Sequence, residues 1–330
     1  VRKLQGENRE KLCYTRDKFL QDSDNMNWLI IASFAPLLWA ITNHIDKLLI
    51  ERYFKAGNVF VIAIFPSMVG GFTSLIILLI LREQLFISFQ DACILIISGM
   101  LILGELIPYY YALTLEETSR IVPFFQLTNV FGIIFGIGLL HETYSFNQYL
   151  GAIIITISAF FISFNIRDLS KRKFSFNKKA VLLMLLCIII SSLTTFIYKS
   201  MASTHTFWQT SFWQYFGFVI FCLLMFIVPQ TRVRILTALQ TNKKRVLTIA
   251  TFSEILNVSA RFLFEYALFL APLSLVALTN SFQPFFVFII GVIITIFYPK
   301  IAKEDISRET LIQKTFFIAL IVFGSWLIFA

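Results

Sequence analysis

Ten apolar segments run through this 330-residue chain, each about 18 to 25 residues long, and leave little of it for anything else. A helix of that length, rising 1.5 Å per residue, matches roughly 30 Å of hydrocarbon. The segments are 28–45, 58–81, 92–115, 119–140, 144–166, 180–199, 207–229, 246–270, 272–298 and 312–329. They fall into two sets of five, and the second set repeats the first. Tyr111-Ala112-Leu113 reappears as Tyr266-Ala267-Leu268. At the same offset Ser119 matches Ser274, Ile121 matches Val276, Phe131 matches Phe286 and Gly136 matches Gly291. A slightly longer offset pairs Gln148 with Gln313, Ile153 with Ile318 and Phe164 with Phe329. Five is odd, so the two copies must cross a membrane in opposite directions. Inverted repeats of this kind are common in secondary transporters, which bind substrate near the bilayer midplane.

Composition points the same way. Of all residues 58% are hydrophobic and 14% charged, and the mean hydropathy is +0.78. A soluble domain of this size could not cover that much apolar surface. The expected fold is therefore an all-α integral membrane protein, with ten transmembrane helices as two inverted five-helix repeats. Residues 1–26 read as a polar tail, 27–166 as the first repeat, 167–179 as a basic connecting loop and 180–330 as the second repeat. Met26 stands directly before the first span, so the preceding segment is either a tail or a misassigned start. Its charges and lack of an apolar core give no cleavable signal.

The net charge of +9 carries no nucleic-acid signal, because its distribution follows topology. Lysine and arginine collect at 47–55, 167–179, 232–245 and 300–314, on loops that ten spans place on one face. With Arg120 that face holds 19 basic residues, against Arg82, Lys199 and six in the N-terminal tail for the other. The positive-inside rule makes the basic face cytoplasmic and puts both termini outside. The expected location is the bacterial inner, or plasma, membrane.

Four stretches carry a family resemblance. The first span ends Leu38-Trp39-Ala40-Ile41-Thr42-Asn43-His44-Ile45-Asp46-Lys47. The third ends Tyr110-Tyr111-Ala112-Leu113, and Ser119-Arg120-Ile121-Val122-Pro123 opens the fourth. His141-Glu142-Thr143-Tyr144-Ser145-Phe146-Asn147-Gln148-Tyr149-Leu150-Gly151-Ala152 leads into the fifth, with a weaker echo at Lys303-Glu304-Asp305-Ile306-Ser307. Together these resemble the ten-helix, EamA-type members of the drug/metabolite transporter superfamily. His141 replaces that pattern's usual glycine, and Gly151 has no counterpart in the second half. The resemblance implies two five-helix bundles, with spans 1, 3, 4, 6, 8 and 9 around a central cavity. It implies movement of small organic solutes without an ATPase domain. Substrates of the superfamily are diverse and do not transfer.

Ionisable groups inside spans are costly, so they mark function by default. Span 3 carries Glu105, just ahead of Pro108. Span 8 carries Glu254, Asn257, Arg261 and Glu265 at spacings of 3, 4 and 4, which put all four on one helical face. The repeat offset takes Glu105 to Ala260, beside Arg261, so the halves place opposite charges at nearly equal depth. Two readings stand. Arg261 pairs with Glu254, Glu265 or Glu105 and fixes packing, or it meets a carboxylate or phosphate while a glutamate carries a proton or an amine. Spans 4 and 9 offer amides at equivalent places: Gln126 and Asn129, then Asn280 and Gln283, with Thr128 and Thr279 nearby. They serve a polar ligand or interhelical bonding. Gly132 and Gly136 form a small-xxx-small pair for close packing.

Of Tyr109, Tyr110 and Tyr111 at least one must face inward; Tyr110 is the site candidate. Trp39 and Trp213 lie deep enough for an aromatic wall, while Trp28, Trp208, Tyr53 and Tyr298 read as interface belt. Asp46, Lys47 and Lys199 read as interfacial charges or a gate pair. Cysteines and histidines lack ligand spacing, so neither metal nor cofactor is expected, and no catalytic residue stands out.

The reading is a secondary active transporter of a small organic metabolite, working by alternating access with proton coupling or exchange. Its rivals are a drug or waste exporter and a membrane-embedded lipid-handling protein or enzyme. The expected partners are a small organic solute and the lipid bilayer, with no nucleic acid; oligomeric state is left open.

Overall fold

A computed structural model of the chain describes residues 28–49, 64–115, 122–162, 177–241, 244–297 and 307–329. Regular structure among the described residues is helical throughout. In chain order α1 is Trp28–Leu49. It is followed by α2 (Ile64–Leu81), α3 (Phe89–Leu115), α4 (Leu127–Gly138), α5 (Phe146–Ile162) and α6 (Lys178–Ala202). Then come α7 (Phe207–Ile227), α8 (Pro229–Thr241), α9 (Lys244–Leu270), α10 (Leu273–Leu278), α11 (Gln283–Phe297) and α12 (Arg308–Phe329).

Eight stretches among the described residues are long and apolar enough to cross a membrane, with α10 and α11 counted as one. Two shorter apolar helices, Phe124–Gly138 and Phe146–Ile162, occupy the places of the fourth and fifth expected spans. The fourth is shortened because Val122–Gln126 winds as a 3₁₀ turn before α4 begins. The fifth starts at Phe146 and not at 144, for a local reason. Ser145 N–H donates to Gln148 Oε1 at 2.9 Å, and Gln148 N–H donates back to Ser145 Oγ at 3.3 Å. That reciprocal capping box fixes the first turn.

One helix was not foreseen. Residues 232–245 read as a basic loop, yet α8 runs through Pro229–Thr241. Pro229 suits a first helical position, where no N–H is needed. Ile235 is fully buried with Val246 and Ala250, while Arg232 and Arg234 stay exposed. The apolar anchor outweighs the polar composition, and the segment lies as a surface helix. Trp28 also departs from expectation. It is buried against Ala32 and Ala35 rather than standing in an interface belt, whereas Trp208 is exposed as a belt residue would be. Tyr53 and Tyr298 lie outside the described residues.

Helices of the two halves interleave. α5 packs on α12, α4 on α10, α2 on α7, α3 on both α6 and α7, and α2 on α9. The α3–α7 crossing brings two backbones together. A Cβ at Gly99 would strike the Gln214 carbonyl, and one at Gly217 would strike the Ile96 carbonyl and lie 3.0 Å from Gly99 Cα. Only glycine at both positions lets the backbones touch. Gln214 Nε2 donates to Ser98 Oγ at 3.0 Å and seals the crossing with a buried hydrogen bond. Gly151 finds its partner in space and not in the repeat, facing Gly324 of α12.

Candidate functional site

A cavity of about 170 Å³ lies between the halves. α1 contributes Trp39, Thr42, Asn43 and Asp46; α3 contributes Glu105, Tyr109 and Tyr110. α6 adds Ser191, Ser192 and Thr195, and α9 adds Asn257, Arg261 and Phe264. Both 3₁₀ turns reach the wall. Gln126 ends the first, and Asn280 lies in the second, Thr279–Phe282, followed by Gln283. The turns sit at nearly the repeat offset, and Asn129, in the first turn of α4, donates from Nδ2 to Ser281 Oγ of the second at 2.6 Å. At both places the chain winds as a 3₁₀ turn, tighter than the helix that follows it.

Arg261 stands on the wall between two glutamates. Its Nη2 is 3.4 Å from Glu105 Oε1 across the halves, and its Nη1 is 4.0 Å from Glu265 Oε1 on its own helix. Tyr215 Oη donates to Glu265 Oε2 at 3.1 Å. The other oxygen of Glu105, Oε2, and Oε1 of Glu265 are buried without a hydrogen-bond partner among the described residues. Trp39 Nε1 donates to Asn257 Oδ1 at 2.9 Å, and Asn257 Nδ2 donates to Glu254 Oε2 at 3.1 Å. One α9 face thus carries two pairs, Glu254 with Asn257 and Arg261 with Glu265, as its spacing indicates.

The ten expected site residues divide. Glu105, Tyr110, Gln126, Asn257, Arg261, Asn280 and Gln283 line the cavity. Asn129, Glu254 and Glu265 do not; each is almost wholly buried behind the wall and holds a neighbour that does line it or spans the halves. A polar helical face is wider than the cavity it borders, so its flanks are covered by packed helices. Tyr109 and Tyr110 turn inward and Tyr111 outward. Trp213 leaves the wall altogether, donating from Nε1 to the Leu85 carbonyl at 2.9 Å.

Asp46 is placed differently from its reading as an interfacial charge. It lines the cavity and accepts from Ser253 Oγ at 2.9 Å. Ser191, Ser192 and Thr195 escaped the sequence reading, although Ser191-Ser192-Leu193-Thr194-Thr195 is a dense hydroxyl run in an apolar span. Lys199 is drawn inward too, donating from Nζ to the carbonyls of Leu268 at 2.5 Å and Ala271 at 2.8 Å.

The motif residue Glu142 acts at the same turn. Its carboxylate accepts from Leu273 N–H at 2.7 Å, Ser274 N–H at 3.4 Å, Ser274 Oγ at 2.8 Å and the Tyr144 hydroxyl. Gly136 backs it, since a Cβ there would meet both Glu142 and Ser274. Gly132 likewise lies against Ala277. The small-residue pair therefore packs α4 on α10 as expected. His141 takes φ +55, a left-handed conformation that glycine adopts without strain. That explains why the resembling motif carries glycine there.

Residues 26–164 match the EamA-like transporter family. The first half of the chain belongs to that family. EamA-like transporters belong to the drug/metabolite transporter superfamily, and the EamA match with the apolar helices makes this a multi-pass integral membrane transporter of small solutes. One solved crystal structure superposes with a TM-score of 0.64 over 92% of this chain and 96% of its own length. At 15% identity that likeness speaks for the fold alone, but it extends over both halves. Comparison with curated proteins found no match.

Proposed function

We propose that the protein is a secondary active transporter that moves a small organic metabolite across the bacterial inner membrane by alternating access. Its working unit is two inverted five-helix repeats, 27–166 and 180–330, around one central site. The observation that carries this reading is the cavity itself, lined from both halves, with the Glu105–Arg261 pair on its wall. The packing of the halves supports the inversion. α3 lies on α7 as α9 lies on α2, the exchange of partners that a two-fold axis between the repeats requires. The site residues are Glu105, Tyr110, Gln126, Asn257, Arg261, Asn280 and Gln283, with Asn129, Glu254 and Glu265 as their supports.

Thiol accessibility tests it. In a background freed of native cysteine, Asn257→Cys and Arg261→Cys should react with a membrane-impermeant reagent in both right-side-out and inside-out vesicles. Leu256→Cys and Leu263→Cys should react less. Labelling of the cavity positions from one side alone would reject alternating access.

A further inference from the structure

Charge around the cavity is lopsided. Among the described residues Asp46 and Glu105 line it, and Glu254 and Glu265 stand directly behind. Against these four carboxylates Arg261 is the one cation among the described lining residues. Glu105 and Glu265 already contend for its guanidinium. An anionic solute would have to draw Arg261 away from two glutamates and then lie among the remaining acids. A cationic solute would meet the opposite situation, because a carboxylate in a membrane interior carries its charge at least cost beside a cation.

Hydrogen-bond demand gives the same answer independently. Three buried polar atoms on lining residues lack a partner among the described residues: Glu105 Oε2, Asn280 Oδ1 and Ser192 Oγ. The first two are acceptors, and the hydroxyl can donate or accept. Glu105 is only 7% exposed, and a buried carboxylate oxygen left unpaired is costly. A ligand that satisfies the two acceptors must bring hydrogen-bond donors, and a charged N–H bonds a carboxylate more strongly than a neutral O–H does. Aromatic rings also line the wall: Trp39 against Phe264 at 5.6 Å between ring centroids, and Tyr109 against both Tyr110 at 5.4 Å and Phe125 at 5.3 Å. Ring faces attract cations and pack flat apolar bodies. The volume of about 170 Å³ is below the roughly 300–1,000 Å³ of drug-sized pockets and suits a small body.

We infer that the cavity takes a small organic ammonium with an aromatic or apolar body, whose N–H groups bind Glu105 and Asn280 while Arg261 shifts towards Glu265. The shift is short and has a waiting acceptor. Glu265 Oε1 is the atom 4.0 Å from Arg261 Nη1 and has no hydrogen-bond partner among the described residues. The ligand's ammonium thus replaces the guanidinium at Glu105, and the guanidinium is received by its neighbour four residues on. This inference rests on the transporter reading for its biological meaning, but binding can be measured without it.

The experiment uses the full-length purified protein and three probes of one shape: phenethylamine, 2-phenylethanol and 3-phenylpropionate. Thermal stability is followed against probe concentration, since ligand binding raises apparent stability by mass action. Phenethylamine should stabilise the wild type with an affinity at least about tenfold above that of the alcohol. 3-Phenylpropionate should not stabilise it at all. Stabilisation by the carboxylate in place of the amine, or equal stabilisation by amine and alcohol, overturns the inference. So does silence of the wild type towards phenethylamine at millimolar concentration.

Glu105→Gln should lose the amine effect, and Glu265→Gln, which removes the carboxylate that receives the guanidinium, should weaken it. Should Glu105→Gln fail to fold, the three-probe contrast in the wild type decides alone. Proteoliposome uptake separates the two readings. Amine binding without translocation leaves the site and sinks the transporter, whereas translocation of the carboxylate keeps the transporter and sinks the ammonium.

Discussion

Lys199 and Glu142 grip one turn from its two sides. Lys199 donates to carbonyls at the end of α9, Leu268 and Ala271, and Glu142 accepts N–H groups at the start of α10, Leu273 and Ser274. Helix ends present unpaired carbonyls at the C-terminus and unpaired N–H groups at the N-terminus, with matching partial charges. Residues 270–273 thus meet a cation and an anion in the right order. Leu273 also lines the cavity, so the clamp holds the wall of the site. Glu142→Gln keeps an acceptor but drops its charge and should lower stability by about 1–2 kcal/mol. Lys199→Met should do the same. The apparent melting temperatures of the two variants and of their combination check this; an unchanged value in both singles would deny the clamp.

His141 supplies an opposite test. Its left-handed backbone costs a residue with a Cβ about 1–2 kcal/mol, part of which glycine returns as unfolded-state entropy. His141→Gly should therefore stabilise the protein by about 0.5–1 kcal/mol. Melting in a single detergent, with His141→Ala as the comparison, measures it. Alanine equal to glycine would mean that strain is not the issue.

The ion pair across the halves predicts a dissociation of folding from transport. Glu105→Gln leaves Arg261 short of a buried partner and should cost about 3 kcal/mol in stability or a comparable loss of function. Adding Arg261→Met removes the stranded charge. That double variant should regain expression and a monodisperse profile yet remain inactive in uptake assays. Recovered uptake would reduce the pair to packing.

Topology is testable by fusion. The 19 basic residues on one loop face predict that a reporter placed after Ala330 is active on the external side and that the loop 167–179 is cytoplasmic. A cytoplasmic signal from that fusion together with an external loop reverses the assignment.

What could be read from sequence depended on how far each signal stands out from an apolar background. Glu105 and Arg261 were legible because a charge in a span has few roles, and the repeat offset put them at one depth before any contact was seen. Asp46 was not, because it sits at the end of a predicted span, where a charge normally reaches water; only the fold shows Ser253 opposite it. Glu142 was recognised in its motif, but its partners lie about 130 residues away, and tertiary hydrogen bonds leave no local trace. α8 was hidden by its own arginines. Glu254 and Glu265 were placed on the correct face, but sequence alone does not tell which part of a polar face a cavity touches.

The glycine crossing of α3 and α7 carries a further prediction. Gly217→Ala must push the backbones apart and should cost about 1–3 kcal/mol, with a larger loss of uptake than of folded protein. Loss of folded protein alone would make the contact purely structural.

Backbones in direct contact cannot slide past one another, but they can turn about the point where they touch. Gly99 is such a point, and Glu105 lies six residues further along the same rod. Six residues make a lever arm of about 9 Å, so each 10° of pivot sweeps the carboxylate through about 1.6 Å. A modest tilt at the fulcrum would separate Glu105 from Arg261 with no change in either helix, and the leverage of a single methyl-free contact would then set how far the two halves must lean before the site lets go.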